Sequence, residues 1–139
     1  MIDAPRLAYV DTSCLVAVAF EEPGHDALRA RLQGYSSLVA GGLVEAELCS
    51  ALARENRGAT AAHLFPSVRW FGVPARLTAE LERVFEAGYL RGADAWHLAA
   101  ALWFCDTPPS LAFCTLDKAQ AAVARHLGFA VPTAAELER

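Results

Sequence analysis

Two short apolar runs that each end on an aspartate constrain this chain more than any other feature. Leu7-Ala8-Tyr9-Val10 runs into Asp11, and Leu111-Ala112-Phe113-Cys114-Thr115-Leu116 runs into Asp117. Short apolar runs bounded by polar residues read as buried strands. Longer segments of helical periodicity separate them, and strands alternating with helices imply a parallel sheet covered on both faces. In such sheets, ligands bind outside the carboxyl ends of the strands, at the point where the strand order reverses. Two carboxylates at two strand ends can therefore face one pocket.

The remaining elements follow from pattern and punctuation. Strands are expected at 7–10, 37–40, 68–73, 111–116 and 129–131. Helices are expected at 14–20, 25–33, 43–57, 59–65, 75–87, 93–104 and 118–127, with a terminal turn at 134–137. Thr12 or Ser13 offers a hydroxyl to cap the first helix. Glycines at 34, 58, 88 and 128 stand where helices should stop. The segment 93–104 is apolar nearly all round and should be buried. Residues 106–109, Asp-Thr-Pro-Pro, read as a loop. The expected fold is α/β, with a central parallel sheet of about five short strands flanked by helices in three layers. At 139 residues it is read as a single domain over 1–139.

Composition narrows the class. A chain of this size buries roughly 68–70% of the surface its unfolded form exposes, so it needs no disulfides to fold. Cys14, Cys49, Cys105 and Cys114 form no C-x-x-C pair, which excludes the usual zinc and redox spacings. They read as free, mostly buried thiols. No apolar run reaches the length of a membrane span, and the N-terminus lacks a signal-peptide pattern. A soluble, cytoplasmic protein is expected. The formal net charge of −4 argues against a polyanion binder with a broad basic face. Eleven of the twelve basic residues are arginines, and Lys118 is the lysine.

Two further acids, Glu47 and Asp94, enter otherwise apolar helical segments. Each acid has a plain structural reading. Asp11, Asp94 and Asp117 can all cap helices, and Glu47 can sit on a solvated rim. Helical phase does not choose between Glu45 and Glu47, which flank opposite edges of one apolar face. Taken together the structural readings weaken. Carboxylates that converge repel one another, and a divalent cation between them offsets this. Hard cations such as Mg²⁺ take oxygen ligands.

Four segments give the chain a family likeness. They are Tyr9-Val10-Asp11-Thr12-Ser13, Val44-Glu45-Ala46-Glu47-Leu48 with Ala51-Leu52-Ala53-Arg54, Leu90-Arg91-Gly92-Ala93-Asp94-Ala95-Trp96-His97-Leu98-Ala99, and Phe113-Cys114-Thr115-Leu116-Asp117. In order and spacing these resemble the motifs of PIN domains, and most of all the VapC ribonuclease toxins of toxin–antitoxin pairs. The resemblance implies a PIN-like fold and a metal-dependent endoribonuclease. It implies that Asp11, Glu47, Asp94 and Asp117 bind Mg²⁺ or Mn²⁺ and carry catalysis, and it selects Glu47 over Glu45. It further implies that the hydroxyls of Thr12 and Thr115 orient the carboxylates or a water. An RNA substrate, a cognate antitoxin protein and a homodimer are the implied partners. Gly41-Gly42 departs from the pattern, which often has Ser or Thr there.

Arg54, Arg57 and Arg91 are candidates for RNA phosphate contacts, with solvated rim arginines as the plain reading. His97 reads as a packing residue of a buried helix, and His25, His63 and His126 as surface residues. Trp70, Trp96 and Trp103 read as core or interface residues, and Phe65, Trp70 and Phe71 as aromatics available to an interface. Competing families fit less well. A haloacid dehalogenase site needs an acid two residues after Asp11, where Ser13 stands. A receiver domain needs an acidic pair at the first strand and an aspartate near Val73. A non-catalytic PIN-like binding module, or another Mg²⁺-dependent phosphohydrolase, remains the alternative.

Overall fold

A computed structural model describes residues 6–57, 60–105 and 110–132. The strands are β1 (Leu7–Val10), β2 (Ser37–Gly41), β3 (Val68–Phe71) and β4 (Leu111–Cys114). All pairings are parallel and the order is β3-β2-β1-β4. The helices are α1 (Thr12–Ala19), α2 (His25–Gln33), α3 (Gly42–Arg54), α4 (Ala61–Leu64), α5 (Thr78–Ala87), α6 (Gly92–Phe104) and α7 (Lys118–His126).

The strand order decides where a site can form. The chain steps from β1 to β2 to β3, then crosses back to place β4 on the other side of β1. Right-handed crossovers put the helices of the outward steps on one face and those of the return on the other. Packing agrees, since α1 contacts α2 and α3, while α5 contacts α6 and α7. The order therefore reverses between β1 and β4, and the crevice lies at their carboxyl ends. Tyr9 and Phe113 stand opposite each other in this seam with rings stacked at 5.2 Å.

Fully buried strand residues such as Ala8, Val10, Leu111 and Ala112 anchor the core beneath Leu98, Ala99 and Leu102 of α6 and Leu48 of α3. Among the described residues, the buried polar ones are Asp11, His97, Thr115 and Gln120. Buried polar groups require partners, and these four find them in one another's neighbourhood at the carboxyl end of the sheet.

Several element ends differ from expectation. β4 stops at Cys114, not at residue 116, because the backbone N–H groups of Leu116 and Asp117 go to side chains rather than to a ladder. Leu116 N–H donates to Ser13 Oγ at 3.1 Å, and Asp117 N–H to Thr115 Oγ1 at 3.0 Å. The fifth strand is reduced to one parallel bridge, Ala112 with Ala130, in which Phe113 N–H donates to the Ala130 carbonyl at 2.9 Å. Pro132, two residues on, has no N–H to extend the pairing. β3 ends at Phe71, two residues early. α3 ends at Arg54, and Asn56 turns out of it with φ of 54°. α1 begins at Thr12, because Asp11 caps it in place of the hydroxyl residues: Asp11 Oδ2 accepts the Ser13 N–H at 3.1 Å.

Cys14 and Cys114 are buried as expected, but Cys49 is exposed and Cys105 half-buried. Burial pushes the Cys114 thiol up to about 12 and raises Cys14 as well. Phe65, Trp70 and Phe71 are half-buried against the core, so they are not the free aromatics; Phe85, Tyr89 and Phe104 are the exposed ones. Trp96 and Trp103 are also half-buried against the core. The loop expected at 106–109, the start of α4 at residue 59 and the turn at 134–137 lie outside the described residues. Among those described, no helix is long and apolar enough to cross a membrane.

Candidate active site at the sheet reversal

Each acid reaches the crevice from a different element. Asp11 follows β1 and is 5% exposed. Asp117 follows β4 and caps α7, its Oδ1 accepting the Gln120 N–H at 2.8 Å. Glu47 projects from α3, and Asp94 from the first turn of α6, where a carboxylate suits the positive helix end. Asp94 does not cap its helix; Arg91 occupies that position without a side-chain bond.

The four acids share one field. The Asp94 carboxyl is raised above the ordinary aspartate value, first by burial, then by the charges of Asp11 and Asp117, with a smaller push from Glu47 and an opposing pull from His97. The surroundings are thus negative enough to resist a further charge. That donor chemistry fits a hard divalent cation. The placement is looser than a closed cage: among the described residues, no three His, Cys, Asp or Glu side chains stand close enough to hold an ion as they are set. Hydrogen bonds within the protein set the positions of Asp11, Glu47 and Asp117.

Two polar networks do this. In the first, Gln120 is fully buried and fully used. Its Nε2 donates to Asp11 Oδ1 at 3.3 Å and to the Asp94 carbonyl at 3.2 Å, and its Oε1 accepts from Thr115 Oγ1 at 2.6 Å. Thr115 Oγ1 also lies 3.5 Å from Asp11 Oδ2 and 3.4 Å from Ser13 Oγ. One glutamine thereby ties β1, α6, α7 and the end of β4 together. In the second, Glu47 Oε1 accepts from Thr12 Oγ1 at 2.8 Å and lies 2.6 Å from His97 Nε2. His97 Nδ1 lies 2.9 Å from the Tyr9 hydroxyl, which accepts the Gly41 N–H at 3.2 Å. Burial raises the Tyr9 phenol, so it stays protonated and can donate. His97 Nε2 is also 3.9 Å from Asp11 Oδ1.

Of the expected site residues, the fold brings Asp11, Thr12, Glu47, Asp94, Thr115 and Asp117 to this one end. Glu45, the competitor of Glu47, is exposed. Arg91 is exposed three residues before Asp94. Arg54 and Arg57 do not join the cluster. Arg54 is seven residues beyond Glu47, about 10 Å along the helix, and sits 3.5 Å from Glu55. Arg57 lies over the Phe20 ring at 5.2 Å, beside a pocket of about 300 Å³ lined by Val18, Leu32 and Phe65. Sequence reasoning missed Ser13 and Gln120, and gave His97 only a packing role. Gln120 lies three residues after Asp117, the spacing that returns a helical side chain toward its own cap, and this was the available signal.

Gly41 explains the departure from the usual hydroxyl at this junction. A Cβ there would stand 2.8 Å from the Trp96 ring and 3.1 Å from the Tyr9 hydroxyl. The glycine gives Tyr9 room to reach the backbone and His97.

A doubly wound parallel sheet with four acids at the end where its strand order reverses defines the class, an α/β protein with an acidic site. A family model described as PIN domain matches residues 8–126. That range takes in Asp11, Glu47, Asp94 and Asp117, and the chain belongs to the PIN domain family, a fold commonly found in nucleases. Comparison with curated proteins returned no match.

Proposed function

We propose that this protein is a metal-dependent endoribonuclease, the toxin of a VapC-type toxin–antitoxin pair. The observation that supports this reading is that Gln120 and His97 link the segments bearing Asp11, Asp94 and Glu47 at one end of the sheet, where acidic neighbours and burial raise the Asp94 carboxyl and the field favours positive charge. Asp11, Glu47, Asp94 and Asp117 would hold Mg²⁺ or Mn²⁺. When bound, such an ion acidifies an attacking water and offsets charge developing on the phosphoryl oxygens. The protein's own part is orientation. Gln120 and Ser13 fix the Asp11 carboxylate, Thr12 and His97 fix Glu47, and the Asp117 cap holds its carboxylate at the mouth of the crevice. Arg91, exposed three residues before Asp94, would meet an RNA phosphate there, and Arg54 and Arg57 would contact the strand farther from the site.

The test is cleavage of RNA by the purified chain with and without EDTA. Activity should require Mg²⁺ or Mn²⁺, and Asp11→Asn and Glu47→Gln should each abolish it. Glu45→Gln should leave most of it, since that side chain is exposed. The reverse result for the two glutamates would sink the assignment on α3. The looser spacing of the acids favours a second reading, a non-catalytic PIN-like binding module, and absence of metal-dependent cleavage would support it.

The proposed assembly is a homodimer that also takes an antitoxin segment. Exposed Phe85, Tyr89 and Phe104 supply apolar surface for it. Light scattering at micromolar concentration should give twice the mass of the chain, and a clean monomer would remove the dimer.

A further inference from the structure

The two oxygens of Glu47 are not equivalent. Oε1 takes both hydrogen bonds, from Thr12 Oγ1 at 2.8 Å and from His97 Nε2 at 2.6 Å. Among the described residues no hydrogen bond or ion pair reaches Oε2. The histidine is in turn held rigidly. It is 1% exposed, its ring meets Trp96 edge-on at 5.5 Å, and its Nδ1 is fixed by Tyr9. An ionised carboxylate only accepts hydrogen bonds, so Nε2 carries the hydrogen toward Glu47 and Nδ1 accepts from the Tyr9 O–H. The Gly41 N–H, which can only donate, completes the chain at the tyrosine oxygen.

We propose that His97, working with Thr12, is a positioning residue that selects the cation, by leaving Glu47 a single oxygen to offer. The inference rests on the reading of the acidic crevice as a divalent-cation site. Ca²⁺ gathers six to eight oxygens and readily takes carboxylates through both oxygens, whereas Mg²⁺ takes six ligands and keeps several waters. A glutamate with Oε1 already engaged suits Mg²⁺ or Mn²⁺ and works against Ca²⁺. Released from His97, the carboxylate can turn and present both oxygens. Tyr9 and Gly41 act one and two steps behind, by keeping the imidazole hydrogen on the nitrogen that faces Glu47.

The experiment reads binding rather than turnover. Mn²⁺ is added to the full chain and followed by the free-ion electron paramagnetic resonance signal, then displaced with Mg²⁺ or Ca²⁺. Circular dichroism reports the fold of each variant. In the wild type, Mg²⁺ should displace Mn²⁺ at lower concentration than Ca²⁺. In His97→Leu, the ratio of the two displacing concentrations should move toward Ca²⁺ by about tenfold, the scale on which residues behind a ligand tune a site. Tyr9→Phe should move it the same way by less. His97→Gln, whose amide N–H can reach the same oxygen, should stay near the wild type. A residue that only supports the fold would weaken all three ions alike and leave the ratio unchanged. An unchanged ratio in folded His97→Leu overturns the proposal, as does a wild type that prefers Ca²⁺. Should His97→Leu fail to fold, an unchanged ratio in Tyr9→Phe overturns it instead. A wild type that binds no Mn²⁺ overturns the cation site itself, and so is told apart from a failure of His97 alone.

Discussion

Asp94 shows how a site residue can cost stability. Its carboxyl is raised by burial and by neighbouring acids, so the folded state holds this proton more tightly than the unfolded chain does. Between the ordinary aspartate value and the raised one, the native state binds more protons, and stability falls as pH rises through that window. The contribution is fully present below the ordinary value and is lost above the folded one. Asp94→Asn removes the penalty. The variant should melt above the wild type at neutral pH without metal, and the gap should close as pH falls below the aspartate range. Mn²⁺ should raise the melting temperature of the wild type by binding the native state, and the variant by less. Melting curves at several pH values, with and without Mn²⁺, check both halves. A variant less stable than the wild type at neutral pH would contradict the repulsion. The acids themselves were legible in the sequence, because two followed strands and two interrupted apolar helices. The groups that hold them were not. Gln120 looks like a surface glutamine on a helix of mixed composition until β4 is placed beside β1, and its partners Asp11 and Asp94 are 109 and 26 residues away.

Elements meet at the site through that glutamine. Gln120 Nε2 reaches β1 and α6 while its Oε1 takes the hydroxyl that follows β4. Gln120→Leu keeps the volume but strands these partners in a buried setting. The expected loss is about 1–3 kcal/mol, the usual cost of a buried polar group left unmatched. Chemical denaturation would measure it, and a loss below a few tenths of a kcal/mol would show that the network is not fastening α7. Most element identities followed from pattern alone: α2 has the expected bounds, and the sheet is parallel throughout. Ends were less legible wherever a side chain captured a backbone group. Thr115 and Ser13 draw the chain out of β4, Asp11 moves the start of α1, and Pro132 stops the last strand at one bridge. The end of β4 depends on Ser13, 103 residues away, and the cap and the proline act through single side chains, and periodicity reports neither.

At the scale of the whole molecule, the doubly wound topology gathers the acids at one end, and the proposed chemistry fixes what the products must be. The histidine nearest the acids, His97, has both ring nitrogens engaged, with Tyr9 and Glu47. It is therefore not free to draw a proton from a ribose 2′-hydroxyl, and no second histidine joins it among the described contacts of the site. In the proposed reaction water is the nucleophile. Attack in line with the P–O3′ bond breaks that bond, and the proton lost by water is balanced by the one taken up at O3′. The products are a 5′-phosphate and a 3′-hydroxyl. A route through the 2′-hydroxyl would instead leave a 2′,3′-cyclic phosphate and would survive chelation. A substrate methylated at the 2′-oxygen of the cleaved position separates the two routes again, since only the water route can cut it. End-group analysis of cleaved RNA, with EDTA as control, decides between them. Cyclic phosphate ends, or cleavage that persists in EDTA, would remove Asp11, Glu47, Asp94 and Asp117 from the roles given to them, because repelling carboxylates without a cation have no means of stabilising further negative charge on phosphorus.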